Sequence, residues 1–256
     1  MSDRTESFAV SGPTRIDVSI RSGDVIIRRS EGNTVTVALS GHTETVDLTA
    51  VDASVDTVSV RSRSQRQRWF SRSMDVLITA PPGGSIRVSL GSGDVVVRVP
   101  LASVDVHTGA GDVTIDECVG EVRVKVASGD VTILDTTQEV NVTSASGDIH
   151  IQKTTDVTIA TASGSVDLGA VSGVARIKSA SGDLKLHDFS GSEIDVTTMS
   201  GDVMIGLAPG MTVDAKITTM SGELRNRIKP SDVEKKHWLS LRVKSYSGDV
   251  TLRRPW

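Results

Sequence analysis

The chain has 256 residues, a formal net charge of −4, and only 3% aromatic residues. The mild charge gives no basis for general nucleic-acid binding, and the single cysteine, Cys118, excludes an internal disulfide and a metal–thiolate cluster. No stretch approaches 18 uninterrupted apolar residues, and the start MSDRTESFAVSG has no basic segment followed by an apolar run. We therefore expect a cytoplasmic protein, at most peripheral at the inner membrane face.

The first 80 residues predict a tail, one repeat and a cap. Residues 1–13 are polar and predict a flexible tail. Residues 14–30 then alternate apolar residues around the corner Ser22-Gly23-Asp24, which is typical of two short strands joined by a tight turn. Residues 31–80 are strand-like but irregular. We expect residues 14–80 to form irregular N-terminal coils that cap one end of the fold, where unpaired backbone groups would invite aggregation.

A basic segment lies within this cap, at residues 61–72. It has five arginines, no acidic residue and an adjacent aromatic pair, and the strand periodicity stops on either side of it. We interpret it as a docking arm for an anionic surface. The alternative is a hairpin with no binding role, whose tryptophan packs onto the cap. The predicted partner-binding residues are Arg61, Arg63, Arg66, Arg68, Trp69, Phe70 and Arg72.

Residues 81–225 form a regular array of repeats about 18 residues long. Its corners, together with that of the final repeat, are Gly93, Gly111, Gly129, Gly147, Gly164, Gly182, Gly201, Gly222 and Gly248. Four positions are apolar in nearly every repeat: seven and five residues before the glycine, and two and four residues after it. We call these positions the inward columns. Their spacing of two is the period of a β-strand, and glycine supplies the positive φ that such a corner needs.

A single coil of this size cannot bury its own apolar edge. Stacked coils about 4.8 Å apart would instead form a continuous aliphatic core. The sequence therefore predicts an all-β fold, a β-solenoid or parallel β-helix-like stack of two-strand coils, in one domain over residues 14–256. Such stacking would also bring Arg87, Asp105 and Arg123 side by side on the outer face.

Residues 226–256 complete the chain. The stretch 226–240 interrupts the repeat, and Ser231 with Glu234 resembles the capping box of a short helix. We expect a widened last coil followed by a C-terminal cap.

The SGDV-x-I corners, the stretch MDVLITAPPGGSIRVSLGSGDV and the closing YSGDVTL resemble the bacterial "putative adhesin" family, a domain of unknown function. The resemblance covers about residues 14–254. It implies a toast-rack-like β-structure, found in envelope-stress settings or attached to membrane modules, and it brings no catalytic residues.

A column of acidic residues follows the corner glycines. Its members are Asp24, Asp94, Asp112, Asp130, Asp148, Asp183, Asp202 and Asp249, with Ser165 and Glu223 as substitutes. Stacked carboxylates suggest Ca²⁺, but the nine-residue motif of calcium-binding solenoids does not occur. We interpret the column as structural, each carboxylate accepting hydrogen bonds from corner backbone groups, and we predict no metal and no cofactor.

These observations favour a non-enzymatic scaffold that mediates protein–protein or cell-envelope interaction. Its partner would be an unknown protein, an anionic membrane surface or a further copy of the chain. The alternatives are a polysaccharide-processing β-helix enzyme and a calcium-dependent surface adhesin. The enzyme would need two carboxylates in unequal environments, which a ladder of equivalent acids does not offer. The histidines, His42, His107, His150, His187 and His237, occupy different columns and predict no ligand set.

Overall fold

The computed structural model describes residues 2–62, 73–228 and 237–254. Contacts divide the chain into two compact units, residues 1–129 and residues 130–256.

The first unit contains eleven strands and one short helix in its described residues. They are β1 (Ser2–Ala9), β2 (Arg15–Ser22), β3 (Val25–Arg29), β4 (Thr34–Gly41), α1 (Thr43–Asp47), β5 (Thr49–Ala53), β6 (Thr57–Ser62), β7 (Met74–Ala80), β8 (Ser85–Ser92), β9 (Val95–Arg98), β10 (Leu101–Ala110) and β11 (Val113–Ser128). The strands before the corners pair in parallel in the order β6, β2, β8, β10, and those after the corners in the order β7, β3, β9, β11.

The second unit contains thirteen strands in its described residues. They are β12 (Val131–Thr136), β13 (Glu139–Ser146), β14 (Ile149–Thr154), β15 (Asp156–Ser163), β16 (Val166–Val171), β17 (Val174–Ser181), β18 (Leu184–Phe189), β19 (Glu193–Ser200), β20 (Val203–Leu207), β21 (Met211–Ser221), β22 (Leu224–Asn226), β23 (His237–Ser247) and β24 (Val250–Arg253). The described strands of this unit pair in parallel, from β13 through β15 and β17 to β19, and from β12 through β14, β16 and β18 to β20.

The inward columns form the core of each unit. In the first unit Val106, Val113 and Ile115 have no exposed surface, and in the second Ile194 and Val196 have none. Equivalent positions of successive coils are Cα partners, so each aliphatic side chain stacks on its counterpart one coil away. The predicted all-β solenoid of stacked coils is therefore confirmed.

The N-terminus corrects one expectation. Residues 2–9 are not a tail, because they form β1, which pairs antiparallel with β4 along eight residues. The hydrogen bonds between β1 and β4 are formed by the backbone and do not require apolar side chains. The polar sequence of residues 2–9 therefore did not indicate a strand. β4 in turn pairs antiparallel with β7, and β5 with β6. Antiparallel strands thus cover this end of the first unit.

The C-terminal region corrects another expectation. The last repeat is not a cap, since β23 pairs with both β19 and β21, and β24 pairs with both β20 and β22. The coil formed by β21 and β22 therefore comes last in space although it precedes β23 in the chain. Its inward columns are the least apolar in the array, because Asn226 stands where the other coils have an aliphatic residue and Ala215 is matched in size only by Ala175. Leaving this coil at the end therefore exposes less apolar surface than leaving another coil there would. The helix expected near Ser231 lies outside the described residues.

Candidate functional site

The corners of successive coils align into one row in each unit, which we call the corner row. Every predicted corner glycine has a positive φ, from 114° at Gly164 to 142° at Gly222. A second constraint acts at the same positions, because a Cβ on Gly111 would overlap the backbone carbonyl of Gly93 on the neighbouring coil. Glycine is required both by φ and by the close approach of the coils.

The acidic column lies along the corner row, and its carboxylates join neighbouring coils. In the first unit the backbone N–H of Asp94 donates to Oδ1 of Asp24 at 3.0 Å, and that of Asp112 donates to Oδ1 of Asp94 at 2.9 Å. In the second unit the N–H of Ser165 donates to Asp148 at 2.8 Å and that of Asp249 to Asp202 at 2.8 Å. Each carboxylate thus accepts from the next coil rather than only within its own turn.

This geometry bears on both chemical alternatives. Asp24, Asp94 and Asp148 are exposed, and each accepts a backbone N–H from the neighbouring coil, so these carboxylates share one environment and do not form an unequal acid–base pair. Within the described residues no group of three or more His, Cys, Asp or Glu side chains is arranged to hold a metal ion. In the coil of β21 and β22, Arg225 lies 3.0 Å from both Glu223 and Asp249. The hydrogen bond to Glu223 is the larger cause, and the charge of Asp249 the next, of a raised pKa of its guanidinium.

The Arg-rich segment, residues 61–72, lies in the sequence at the end of β6 and before β7. Val58 and Val60 on β6 are partners of Ile16 and Val18, while Val76 on β7 is the partner of Val25. β6 and β7 are therefore the two strands of a coil in register with its neighbour, although the sequence predicts an irregular cap for this region.

The corner position of this coil is taken by Met74 and Asp75. Gly23 approaches the backbone of Met74, and the N–H of Asp24 donates to Oδ1 of Asp75 at 3.0 Å, so Asp75 is a member of the acidic column that sequence inspection missed. Of the predicted partner-binding residues, Arg61 is exposed at the end of β6. The others, Arg63, Arg66, Arg68, Trp69, Phe70 and Arg72, lie outside the described residues.

A second charged surface covers the outer face of the first unit. Arg87 and Arg123 are the Cα partners of Asp105 on either side, as the stacking predicts, and Arg87 Nε lies 3.0 Å from Asp105 Oδ2. With Arg15 and Glu121 they line a depression of about 150 Å³. Its side chains are half-exposed and largely paired with one another, so the depression resembles a solvated ion-pair ladder more than a ligand pocket.

The remaining titratable candidates have structural partners. His187 Nε2 lies 3.0 Å and His150 Nδ1 3.7 Å from the same Oδ1 of Asp167, on the outer face of the second unit. Cys118 lies buried within β11, where its thiol donates to the carbonyl of Leu101 at 3.3 Å. Desolvation raises the pKa of this thiol, which disfavours the reactive thiolate.

An exposed apolar column lies beside the last corners of the second unit. Met199, Tyr246 and Met220 are 60%, 55% and 76% exposed. The registers on either side of β23 align the three side chains, although Tyr246 is separated from Met220 by 26 residues of chain. All three stand two residues before the corner glycine in consecutive repeats, so the repeat spacing already places them in one column. The stacking order decides that Tyr246 lies between the two methionines.

The fold and the corner row define a parallel β-solenoid of glycine-cornered coils. The chain belongs to the Toastrack DUF4097 family, whose model matches residues 13–255. No curated protein matches it. In the described ranges no helix is long and apolar enough to cross a membrane.

Several solved structures are similar to this chain. A putative adhesin from Bacteroides fragilis is 14% identical with a TM-score of 0.47, covering 98% of this chain and 97% of that one. A putative cell adhesion protein from Clostridium sporogenes is 11% identical with a TM-score of 0.37, covering 99% and 100%. A putative lipid binding protein from Parabacteroides distasonis is 9% identical with a TM-score of 0.33, covering 98% and 96%. The family assignment depends on the family model and not on these structures.

Proposed function

We propose that this protein is a non-catalytic scaffold that docks on an anionic membrane surface through the Arg-rich segment. The observation that carries the proposal is the register of β6 and β7. β6 and β7 lie in register with β2 and β3, and Asp75 joins the acidic column by accepting a hydrogen bond from Asp24. Four of the segment's five arginines and its Trp-Phe pair lie between these two strands in the sequence, as an addition to the length of a regular repeat.

The chemistry of the segment suits a lipid headgroup region. Each arginine near an anionic surface contributes about 1 kcal/mol, and tryptophan and phenylalanine favour the interface between headgroups and acyl chains. Five arginines give a gross sum of about 5 kcal/mol, from which the cost of ordering the segment is subtracted. The balance supports weak association that salt screens, and is too small for permanent anchoring.

Vesicle cosedimentation tests the proposal. The full chain should bind phosphatidylserine–phosphatidylcholine vesicles at low salt, bind much less at high salt, and not bind pure phosphatidylcholine. Replacing Arg66 and Arg68 with alanine removes about 2 kcal/mol, which corresponds to a partition coefficient about 30-fold lower. Trp69→Ala should weaken binding without abolishing its salt dependence.

The matched control replaces two arginines elsewhere in the first unit. Arg28 and Arg29 are exposed on β3, and their change to alanine alters the net charge equally. If the control variant loses as much binding as the Arg66/Arg68 variant, the attraction depends on net charge and the Arg-rich segment is not the docking element. Absence of vesicle binding together with salt-sensitive capture of an acidic protein would replace the membrane by a protein partner.

A further inference from the structure

The coil of β21 and β22, which we call the open end, has a described strand on only one side of its inward columns. Ala215 is exposed and Leu224 is 51% exposed, whereas their partners on the adjacent coil, Leu241 and Val250, are at most 1% exposed. Among the described residues, β21 pairs only with β23 and β22 only with β24. The first unit, by contrast, covers its last parallel coil with the antiparallel strands β4 and β5.

The backbone of β21 presents its free groups at known positions. In β23 the N–H of Ser240 donates to the carbonyl of Ser192, so the even-numbered residues there face β19 and the odd-numbered ones face β21. The parallel register, with Ala215 opposite Leu241, then directs the even residues of β21 towards β23. The N–H and C=O groups of Val213, Ala215 and Ile217 consequently point away from the unit. Such a row is a template for another strand.

We propose that a second copy of this chain pairs with β21 as an antiparallel strand, about a two-fold axis through Ala215. In this register the odd residues form the hydrogen-bonded pairs, with Ala215 opposite Ala215 and Val213 opposite Ile217 of the other copy. The even residues form the close, non-hydrogen-bonded pairs, with Asp214 opposite Lys216 of the other copy. Each of the two unlike pairs occurs twice by symmetry.

The charges of Asp214 and Lys216 favour an axis through Ala215 over an axis through either adjacent residue. An axis through Asp214 would set the two Asp214 carboxylates against each other, and an axis through Lys216 would do the same with the two ammonium groups. An axis through Ala215 instead gives two opposite-charge pairs flanked by apolar pairs. An isologous contact of this kind uses up the edge in both copies, so it ends at a dimer rather than a fibre. The inference does not depend on membrane binding.

Charge reversal and mixing test the proposal. Asp214 and Lys216 are both exposed, so their substitution leaves the core unchanged. Asp214→Lys alone sets Lys opposite Lys, and Lys216→Asp alone sets Asp opposite Asp. In sedimentation velocity across a concentration series, each single variant should self-associate about tenfold more weakly than the parent. An equal mixture of the two should recover dimer, and the double variant in one chain should recover it too.

Two further variants separate the edge from general charge effects. Ala215→Pro removes an N–H that the parallel sheet does not use, so it should abolish the dimer while the melting temperature changes little. Asp52→Lys makes the same charge change on exposed β5 of the first unit and should leave association unaltered.

Hydrogen exchange gives an independent readout. The amides of Val213, Ala215 and Ile217 should exchange fast in dilute protein and slowly in concentrated protein. A parent that stays monomeric at every concentration overturns the proposal, whether these amides exchange fast or are protected within the chain. Association into filaments, or dimers that survive both charge reversal and Ala215→Pro, also overturns it.

Discussion

The corner glycines carry two constraints whose costs can be separated by changing glycine to alanine at three positions of the first unit. Gly12 has neither constraint, because a Cβ there meets nothing within 4 Å and its φ lies outside the positive range. Gly83 has a φ of 84° in open space. Gly111 has a φ of 123°, and a Cβ there would lie 2.5 Å from the carbonyl carbon of Gly93.

The expected costs follow from these surroundings. Replacing glycine with alanine reduces the conformational entropy of the unfolded chain. At all three positions this effect alone stabilises the folded protein by about 0.4–1 kcal/mol. Positive φ costs an alanine about 1–2 kcal/mol, so Gly83→Ala should be near neutral to mildly destabilising. Gly111→Ala adds an overlap that forces neighbouring coils apart, at about 1–3 kcal/mol. We therefore expect a net loss of about 1–4 kcal/mol for Gly111→Ala and a small gain for Gly12→Ala.

Urea unfolding followed by far-ultraviolet circular dichroism measures the three variants, with an unchanged slope showing that the same surface unfolds. The order of midpoints should be Gly12→Ala, then Gly83→Ala, then Gly111→Ala. Equal midpoints for Gly83→Ala and Gly111→Ala would refute the argument that the approach of adjacent coils, and not φ alone, requires glycine at the corners.

Two other predictions concern the second unit. Val142 is 2% exposed, so Val142→Asp places an unpaired charge in the core and should abolish the cooperative thermal transition. The control, Thr143→Asp on the exposed side of the same strand, should shift the melting temperature little. Asp148→Ala deprives the N–H of Ser165 of its acceptor and should cost about 0.5–1.5 kcal/mol in urea unfolding, while Asp148→Asn, which keeps an oxygen there, should cost less. Calcium should leave the melting temperature of the parent nearly unchanged, and a rise of many degrees would contradict the structural interpretation of the acidic column.

The sequence by itself determined the internal design of a coil. Alternation about the corners identifies the inward columns because a strand turns successive side chains to opposite faces, and this follows from backbone geometry alone. The corner glycines could be recognised for a similar local reason, since only glycine adopts such φ values at little cost. The pairing of Arg87 with Asp105 was also predictable, because the repeat length fixes which residues of consecutive coils meet.

What only the tertiary structure decided is the order in which coils meet and what covers the first of them. Every coil offers its neighbours nearly the same aliphatic columns and the same backbone edge, so the period cannot say which coil stacks on which. In the structure β6 and β7 stack beside the first repeat, and β23 lies between β19 and β21. The place of Asp75 in the acidic column, the position of Tyr246 between Met199 and Met220, and the open edge of β21 all depend on that order, because each is decided by which coils become neighbours.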